Sequence, residues 1–371
     1  MKKMNAREAL IHLNLIPGMG SGRMTRLLDA FESPEEVFTA TDTSLREILG
    51  RYATEDLIQK ILAGPQPEIL EQELRLTDRE EVRIMTVLDP DYPESLLSLP
   101  DPPPVLYVKG VLLEEDAAAV AMVGTRTATP YGLNVAKQLS QELARCGVTV
   151  VSGLAEGIDG AAHEGALSAG GRTIAVLGHG LTFLYPPIHR GLAQRITAAG
   201  ALVSEFPMRM SPMKENFPRR NRLIAGLSLG VVVVEAPMAS GALITAREAM
   251  EQGREVFAVP GPISSPKSKG THQLLKDGAK LVEEVNDILE ELALNLKGRV
   301  EDWKEGSSQA VDLSQEASAV YQAIPLGGLM QIDTLAGATA MCPSKLLSIL
   351  TELELKGLIR QMPGQGYGRS S

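Results

Sequence analysis

Lys214, Arg219, Arg220 and Arg222 fall within nine residues, with Glu215 as the sole opposing charge and with Phe217 and Asn221 among them. Cations at that density suit a polyanion, and an aromatic ring between them offers a face on which a base can stack. The competing reading makes Phe217 a core anchor and the arginines a solvated face. A second pattern lies in the residues directly after each short apolar run. Gly124-Thr125-Arg126 comes after the first, Ser152-Gly153-Leu154-Ala155-Glu156-Gly157-Ile158-Asp159 after the second, and Gly178-His179-Gly180 after the third. Ser204-Glu205 follows the fourth, Glu235-Ala236 leading to Ser240-Gly241 the fifth, and Pro260-Gly261 the sixth. Glycines and small residues let a ligand approach the backbone, and amides at helix starts can hold phosphate oxygens.

Other chemistries find less support. Asp159 and His163 stand at i, i+4 with Ser152 upstream, which could be drawn as a nucleophile and an orienting pair. Asp159 reads better as an N-terminal helix residue and His163 as its satisfied neighbour. His12, His163, His179, His189 and His272 are scattered without close Cys or His company, so no metal centre is expected. The Walker-type phosphate loop is missing, and Gly178-His179-Gly180 does not extend to Gly-x-Gly-x-x-Gly, so no nucleotide cofactor is expected either.

Length and patterning set the framework that would hold these residues. At 371 residues the chain is long enough for two or three domains, and 44% hydrophobic with 22% charged residues is the mix of a globular protein. No apolar run approaches the roughly 18 residues of a membrane span. The first residues carry Lys2, Lys3, Arg7 and Glu8 without a secretory pattern, so the expected compartment is the cytoplasm. Cys146 and Cys342 are far apart and are expected to be buried small hydrophobes. The net charge of −10 conceals an uneven distribution. Residues 1–116 hold 12 basic and 22 acidic residues, residues 117–282 hold 17 and 11, and residues 283–371 hold 7 and 13. The middle is therefore basic, and an anionic ligand should dock there.

That middle carries continuous apolar runs at 118–123, 148–151, 173–177, 201–203, 231–234 and 256–259, separated mostly by helical patterns. Such alternation predicts a mainly parallel sheet covered on both faces, a Rossmann-like doubly wound α/β fold. Between the first two runs, Val135, Leu139, Leu143 and Cys146 mark one helical face, and Gly147 is the expected stop. In such sheets ligands sit beyond the carboxyl ends of the strands, where the glycine-bearing loops fall. Residues 1–80 read as a small helical domain, with helices over 6–15 and 23–31 and two more up to residue 62. Its turn at 16–22, Ile-Pro-Gly-Met-Gly-Ser-Gly, resembles a helix-hairpin-helix. The acidic balance of the segment instead favours a helix connection inside a sterile-alpha-motif-like bundle. A proline-rich linker comes next, with Asp89-Pro90, Tyr92-Pro93 and Asp101-Pro102-Pro103-Pro104, inside a domain spanning 81–300. A polar stretch at 302–309 leads to a third module, 310–371, whose helices at 332–336, 343–350 and 353–358 suit a winged helix. Lys345 and Lys356 are matched there by Glu352 and Glu354, so this module is read as contacting protein rather than DNA.

Taken together, Val123-Gly124-Thr125-Arg126, the 152–159 stretch with Ala162-His163, Phe217-Pro218-Arg219-Arg220-Asn221-Arg222 and Glu235-Ala236 with Ser240-Gly241 closely resemble the DNA-processing protein A (DprA, or Smf) family. Tyr92-Pro93, Asp101-Pro102-Pro103 and Pro260-Gly261 fit the same pattern, so the resemblance covers nearly the whole chain. It implies an extended Rossmann-like domain between a sterile-alpha-motif-like bundle and a winged helix. It also implies a non-enzymatic factor of natural transformation that binds and protects incoming single-stranded DNA, helps load the RecA recombinase onto it, and works as a homodimer. By motif, Arg126 and Lys214 would contact phosphates and Phe217 would stack on a base. Arg219, Arg220 and Arg222 are candidates for further phosphate contacts, with the alternative that one of them pairs with Glu235 to hold the loop. Gly124, Ser152, Gly153, Gly180, Asn221, Ser240 and Gly241 complete the expected DNA-binding set. His272, Leu275 and Leu281 mark the expected dimer edge. The rival expectation is a nucleotide-binding enzyme of the lysine-decarboxylase-like phosphoribohydrolase type. Its Pro-Gly-Gly-x-Gly-Thr loop has no equivalent in Met238-Ala239-Ser240-Gly241-Ala242.

Overall fold

The computed structural model describes residues 4–292, 314–324, 330–339, 341–355, 359–362 and 366–369. The chain opens with five helices, α1 (Ala6–Leu15), α2 (Ser21–Ala30), α3 (Asp42–Leu49), α4 (Glu55–Leu62) and α5 (Pro67–Arg79). Their starts carry the residues that satisfy free first-turn amides. Asn5 and Glu8 form a capping box, Thr41 and Thr54 accept from Ser44 and Leu57, and Pro67 opens α5. Helix α2 begins at Ser21, two residues earlier than the apolar spacing suggests, because Gly20 already serves as its cap. Leu10, Leu13, Met24 and Leu27 are buried in a cluster that continues into Tyr107, Ile196 and Leu202. The bundle and the sheet therefore share a core, and residues 1–300 form one compact unit.

The sheet has nine strands in the order β1-β2-β6-β5-β4-β3-β7-β8-β9. The six central ones, β3 (Ala119–Val123), β4 (Thr149–Ser152), β5 (Thr173–Val176), β6 (Ala201–Ser204), β7 (Gly230–Val233) and β8 (Glu255–Ala258), fall on the six apolar runs and pair in parallel. Except for Glu255, every residue of these strands is buried, as strands covered on both faces must be. Helices α7 (Pro130–Arg145), α8 (Ile158–Ser168), α9 (Arg190–Ala199), α10 (Asn216–Gly226) and α11 (Gly241–Glu251) make the crossovers. Gly147, at φ 72°, lies just past the end of α7 where the turn requires a positive φ.

The proline-rich stretch is more than a linker. It holds β1 (Val82–Thr86), the short α6 (Glu94–Leu97) and β2 (Val105–Gly110), and β2 pairs antiparallel with β6 to lengthen the sheet. Its prolines flank these strands rather than interrupt them. At the opposite edge come α12 (Lys269–Lys276), β9 (Lys280–Leu281) and α13 (Val285–Leu292).

Residues 301–371 are a separate compact unit. Its described parts are α14 (Gln315–Ala323), β10 (Met330–Gln331), α15 (Ile332–Thr339), α16 (Pro343–Leu355), β11 (Ile359–Met362) and β12 (Gly366–Arg369). The three strands form an antiparallel sheet and the helices a buried core around Val320, Leu335, Leu346 and Leu350, which is a winged helix. One helix, α16, replaces the two expected at 343–350 and 353–358, because Thr351 and Glu352 continue it without a breaker. Lys345 pairs with Glu316, whereas Lys356 and the 302–309 stretch lie outside the described residues. Cys146 is buried as expected, but Cys342, just ahead of α16, is exposed.

Candidate nucleic-acid interface

The basic motif is divided by burial along one helix. Asn216 starts α10, and 3.6 residues per turn sends successive side chains to different sides. Lys214 and Arg219 are exposed and Phe217 is half-buried, whereas Arg220, Asn221 and Arg222 are 4%, 8% and 9% exposed.

On the outer side, the exposed Arg126 from the loop after β3 places its guanidinium carbon 5.3 Å from the centre of the Phe217 ring. Tyr185, from the loop after β5, lies 5.9 Å from the same ring at a tilt of 47°. Gly178 admits the ring, since a Cβ there would sit 3.0 Å from Phe217 Cδ1. Arg126 and Lys214 make no ion pair among the described residues. One cation and two aromatic rings thus meet on an open surface, with the exposed Lys214 three residues before Phe217 in the chain, a set that can neutralise phosphate and stack a base. Tyr185 was not among the expected contacts. The signal for it was its place after the Gly-His-Gly loop, where chain after a strand end reaches the ligand side.

On the inner side the arginines are committed to the protein. Arg220 Nη1 donates to the Val176 carbonyl at 2.5 Å, and burial pulls its pKa down to about 10 despite the nearby Asp159. Asp159 is buried too, a cause that raises its pKa, and it accepts from the Gly153 and Ala155 amides at 3.1 and 3.3 Å. Arg222 pairs with Glu205, not with Glu235, and donates to Ser21 Oγ at 2.7 Å and to the Asp101 carbonyl at 2.8 Å. Ser21 in turn donates to Glu205 Oε2 at 2.6 Å. This buried lock ties α2 to α10 across 201 residues of sequence, a separation that no local pattern signals.

Several expected contacts are likewise turned inward. The Ser152 hydroxyl is fully buried and donates to the Met122 carbonyl at 2.6 Å. The Gly153 amide belongs to Asp159 and the Gly180 amide donates to Met210 at 2.8 Å. Asn221 Nδ2 reaches the Gly241 carbonyl at 3.4 Å, and Ser240 caps α11 through the Ala242 amide. Gly241 itself is exposed at the start of α11.

The sheet's switch point lies between β3 and β7, where chain order reverses and an open α/β sheet takes a nucleotide. Here it is occupied from within. Thr125 donates its amide to the Glu235 carbonyl at 2.7 Å, and the Glu235 carboxylate accepts from Thr129 N at 2.9 Å and Thr129 Oγ1 at 2.6 Å. Ile158 lies so close that a Cβ on Gly124 would sit 2.9 Å from the Ile158 Cβ. Gly124 therefore serves close packing, and the loops after β3 and β7 are tied to each other at this point.

His163 has a different partner from the expected Asp159. Thr173 Oγ1 gives its proton to the Val150 carbonyl, so His163 Nδ1 must be the donor in its 2.7 Å bond to that oxygen. Its Nε2 is buried without a partner, and burial lowers its pKa to about 3. The imidazole is a neutral core group. No cluster of three metal-ligating side chains occurs among the described residues, and no helix there is long and apolar enough to cross a membrane.

The expected dimer residues lie near the far edge of the sheet. His272 Nε2 is 3.0 Å from the Gly261 carbonyl, Leu275 is half-buried, and Leu281 on the outermost strand β9 is 48% exposed.

Residues 83–293 match the family model of the DNA recombination-mediator protein A, and residues 304–365 match the DprA winged helix domain. Protein Smf of Escherichia coli is 42% identical over 314 residues, covering 84% of this chain and 83% of its own. The X-ray structure of DNA processing protein A from Streptococcus pneumoniae superposes with a TM-score of 0.67 at 35% identity, covering 78% of this chain and 99% of that one. The Helicobacter pylori protein, whose structure was described for its single-stranded DNA binding mode, gives a TM-score of 0.52 at 32% identity over 57% of this chain and 97% of its own.

Proposed function

The chain belongs to the DNA recombination-mediator protein A (DprA/Smf) family, and on that premise we propose that it binds single-stranded DNA over the outer side of α10 and mediates recombination. In this reading Arg126 and Lys214 neutralise phosphates, Phe217 and Tyr185 carry a base between them, and Arg219 adds a further phosphate contact. The observation that carries it is the outer surface itself. Arg126 lies over the Phe217 ring at 5.3 Å, the exposed Arg219 stands in the first turn of α10, and the exposed Lys214 precedes it. Such a surface tolerates any base, because every base has a π face, and its strength should fall steeply with salt. The bound strand is protected from nucleases and passed to RecA, and no covalent chemistry is needed from the protein.

Two copies join through α12 and β9 in this reading. The outermost strand leaves an unpaired edge, and an exposed leucine there is the kind of surface that an identical edge covers. Leu281→Lys should give a monomer by light scattering, and an unchanged dimer would move the interface elsewhere.

The function is tested by competition. A labelled, unstructured oligonucleotide should be displaced by unlabelled single strand and hardly at all by duplex of equal length. Removing residues 310–371 should leave that preference in place. Preference for one particular duplex, lost on that removal, would point instead to a regulator acting through its winged helix.

A further inference from the structure

We infer that the cleft between the α1–α2 turn and the 205–219 stretch is a second subsite for the same nucleic-acid strand, holding its phosphodiester backbone between Arg26 on one wall and Arg209 and Arg219 on the other. The inference rests on the single-strand reading and adds a binding surface to it.

The cleft has a volume of about 1410 Å³ and is walled by the turn at 16–22 and α2 on one side and by residues 205–219 on the other. Five arginines line it. Arg26, Arg209 and Arg219 are exposed, and Arg23 is half-buried beside them. Five carboxylates also line it, of which Asp29 is exposed, the Asp101 side chain is 41% exposed and Glu248 is half-buried. Glu73 is taken by the Met208 amide, Glu205 is locked to Ser21 and Arg222 through one oxygen, and Asp101 lies beside Arg222. At the mouth the three exposed arginines outnumber the exposed Asp29 and Asp101 carboxylates, a small positive excess in a cleft partly built from the strongly acidic residues 1–116.

Two helices begin at this cleft. Neither α2 nor α10 has a side chain capping its first amides, and Gly20 to Gly22 and Asn216 all line the space. Asn216 supplies an independent sign. Its side chain is 2% exposed, yet Nδ2 has no partner, which leaves a costly unsatisfied donor at the cleft wall. A strand's phosphate oxygens are the acceptors such a set lacks.

The pairing of cation and ring seen on the outer surface is repeated here. Arg219 lies 5.2 Å from the centre of Phe206, and Arg26 lies 5.1 Å from the centre of Tyr52. The two surfaces also adjoin, since Asn216, Pro218 and Arg219 of the cleft alternate with Lys214 and Phe217 of the outer surface. A strand crossing the first turn of α10 would pass from one to the other.

The test uses the full chain with Arg26→Glu and Arg209→Glu together, one from each wall. Anisotropy is read with a short oligothymidylate of about 6 nucleotides and a long one of about 20, at two salt concentrations. Expected is an unchanged affinity for the short oligonucleotide and about a tenfold loss for the long one. The salt slope for the long oligonucleotide should fall by about 1.4, two single-strand contacts at roughly 0.7 each. Restoring the charge with Arg26→Lys and Arg209→Lys should recover most of the loss, and if the double variant melts early the exposed single variant Arg26→Glu is read in its place. Equal losses on both lengths, or none on either, overturn the subsite while leaving the outer surface standing. Failure of the unsubstituted protein to bind either length overturns the single-strand reading itself, and the subsite with it.

Discussion

Lys214, Phe217 and Arg219, which reach the surface, and Arg220, Asn221 and Arg222, which are buried, come from a single run of sequence and meet opposite fates. In the first set Phe217 meets Arg126 and Tyr185 on an open surface, Arg219 lies over Phe206 beside it, and Lys214 is exposed ahead of the helix. The second is spent on the Val176, Gly241 and Asp101 carbonyls, on Ser21 and on Glu205. An arginine-rich motif is thus two devices in one helix, a charged face for a partner and a set of internal struts. Residue type alone does not distinguish them. Burial and long-range partners do, and they make the two sets separable by mutation.

The largest effect is expected from the inner side. Arg222→Ala leaves the buried Glu205 without a counter-charge, held by Ser21 alone, and removes the donor to Ser21 Oγ and the Asp101 carbonyl, so stability should fall by about 3–5 kcal/mol in urea titration. A loss below about 1 kcal/mol would mean that the lock is not a strut, since exposed ion pairs contribute no more than that.

A smaller effect of the opposite kind is expected on the outer side. Phe217→Ala should weaken single-strand binding by about 1–3 kcal/mol while leaving the melting temperature nearly unchanged. A large melting change with unaltered affinity would transfer Phe217 to the inner set.

The smallest is a pH effect centred on the inner side. His163 beside Arg220 is held neutral, with its pKa lowered to about 3 from the usual 6.5, and burial lowers His12 and His179 as well. The unfolded chain takes up a proton below pH 6.5 and the folded chain does not. The stability contributed by a neutral His163 is thus complete above about pH 6.5 and is lost as pH falls toward 3, by about 1.4 kcal/mol per unit at most. His163→Gln should flatten the dependence of the urea midpoint over that window. An equally steep variant would show that the dependence arises elsewhere.

Much of this architecture is legible in the sequence because it rests on local patterns. The six apolar runs became the six central strands, and Gly147 ends α7 as its position suggests. The edge strands β1 and β2 were hidden by prolines that sit between and beside them, where the missing amide costs nothing. The site was legible in composition and not in direction. That the chain carries a basic motif with an aromatic residue could be read directly. That Arg220 and Arg222 point inward depends on Asp159, Glu205 and Ser21, partners up to 201 residues away. Gly124, Gly153 and Gly180 look like ligand-approach glycines in sequence, and packing is what uses them, because close contact with a ligand and close contact with a neighbouring chain demand the same missing Cβ.

The division of α10 is tested most directly by the anisotropy of a labelled single strand with Arg126→Glu and Lys214→Glu combined, read at two salt concentrations beside a thermal melt. The outer-side account predicts a loss of affinity well over tenfold, a salt slope lower by about 1.4 and an unchanged melting temperature. Unaltered affinity and slope in a folded variant would contradict it, and would place the strand on another face of the protein.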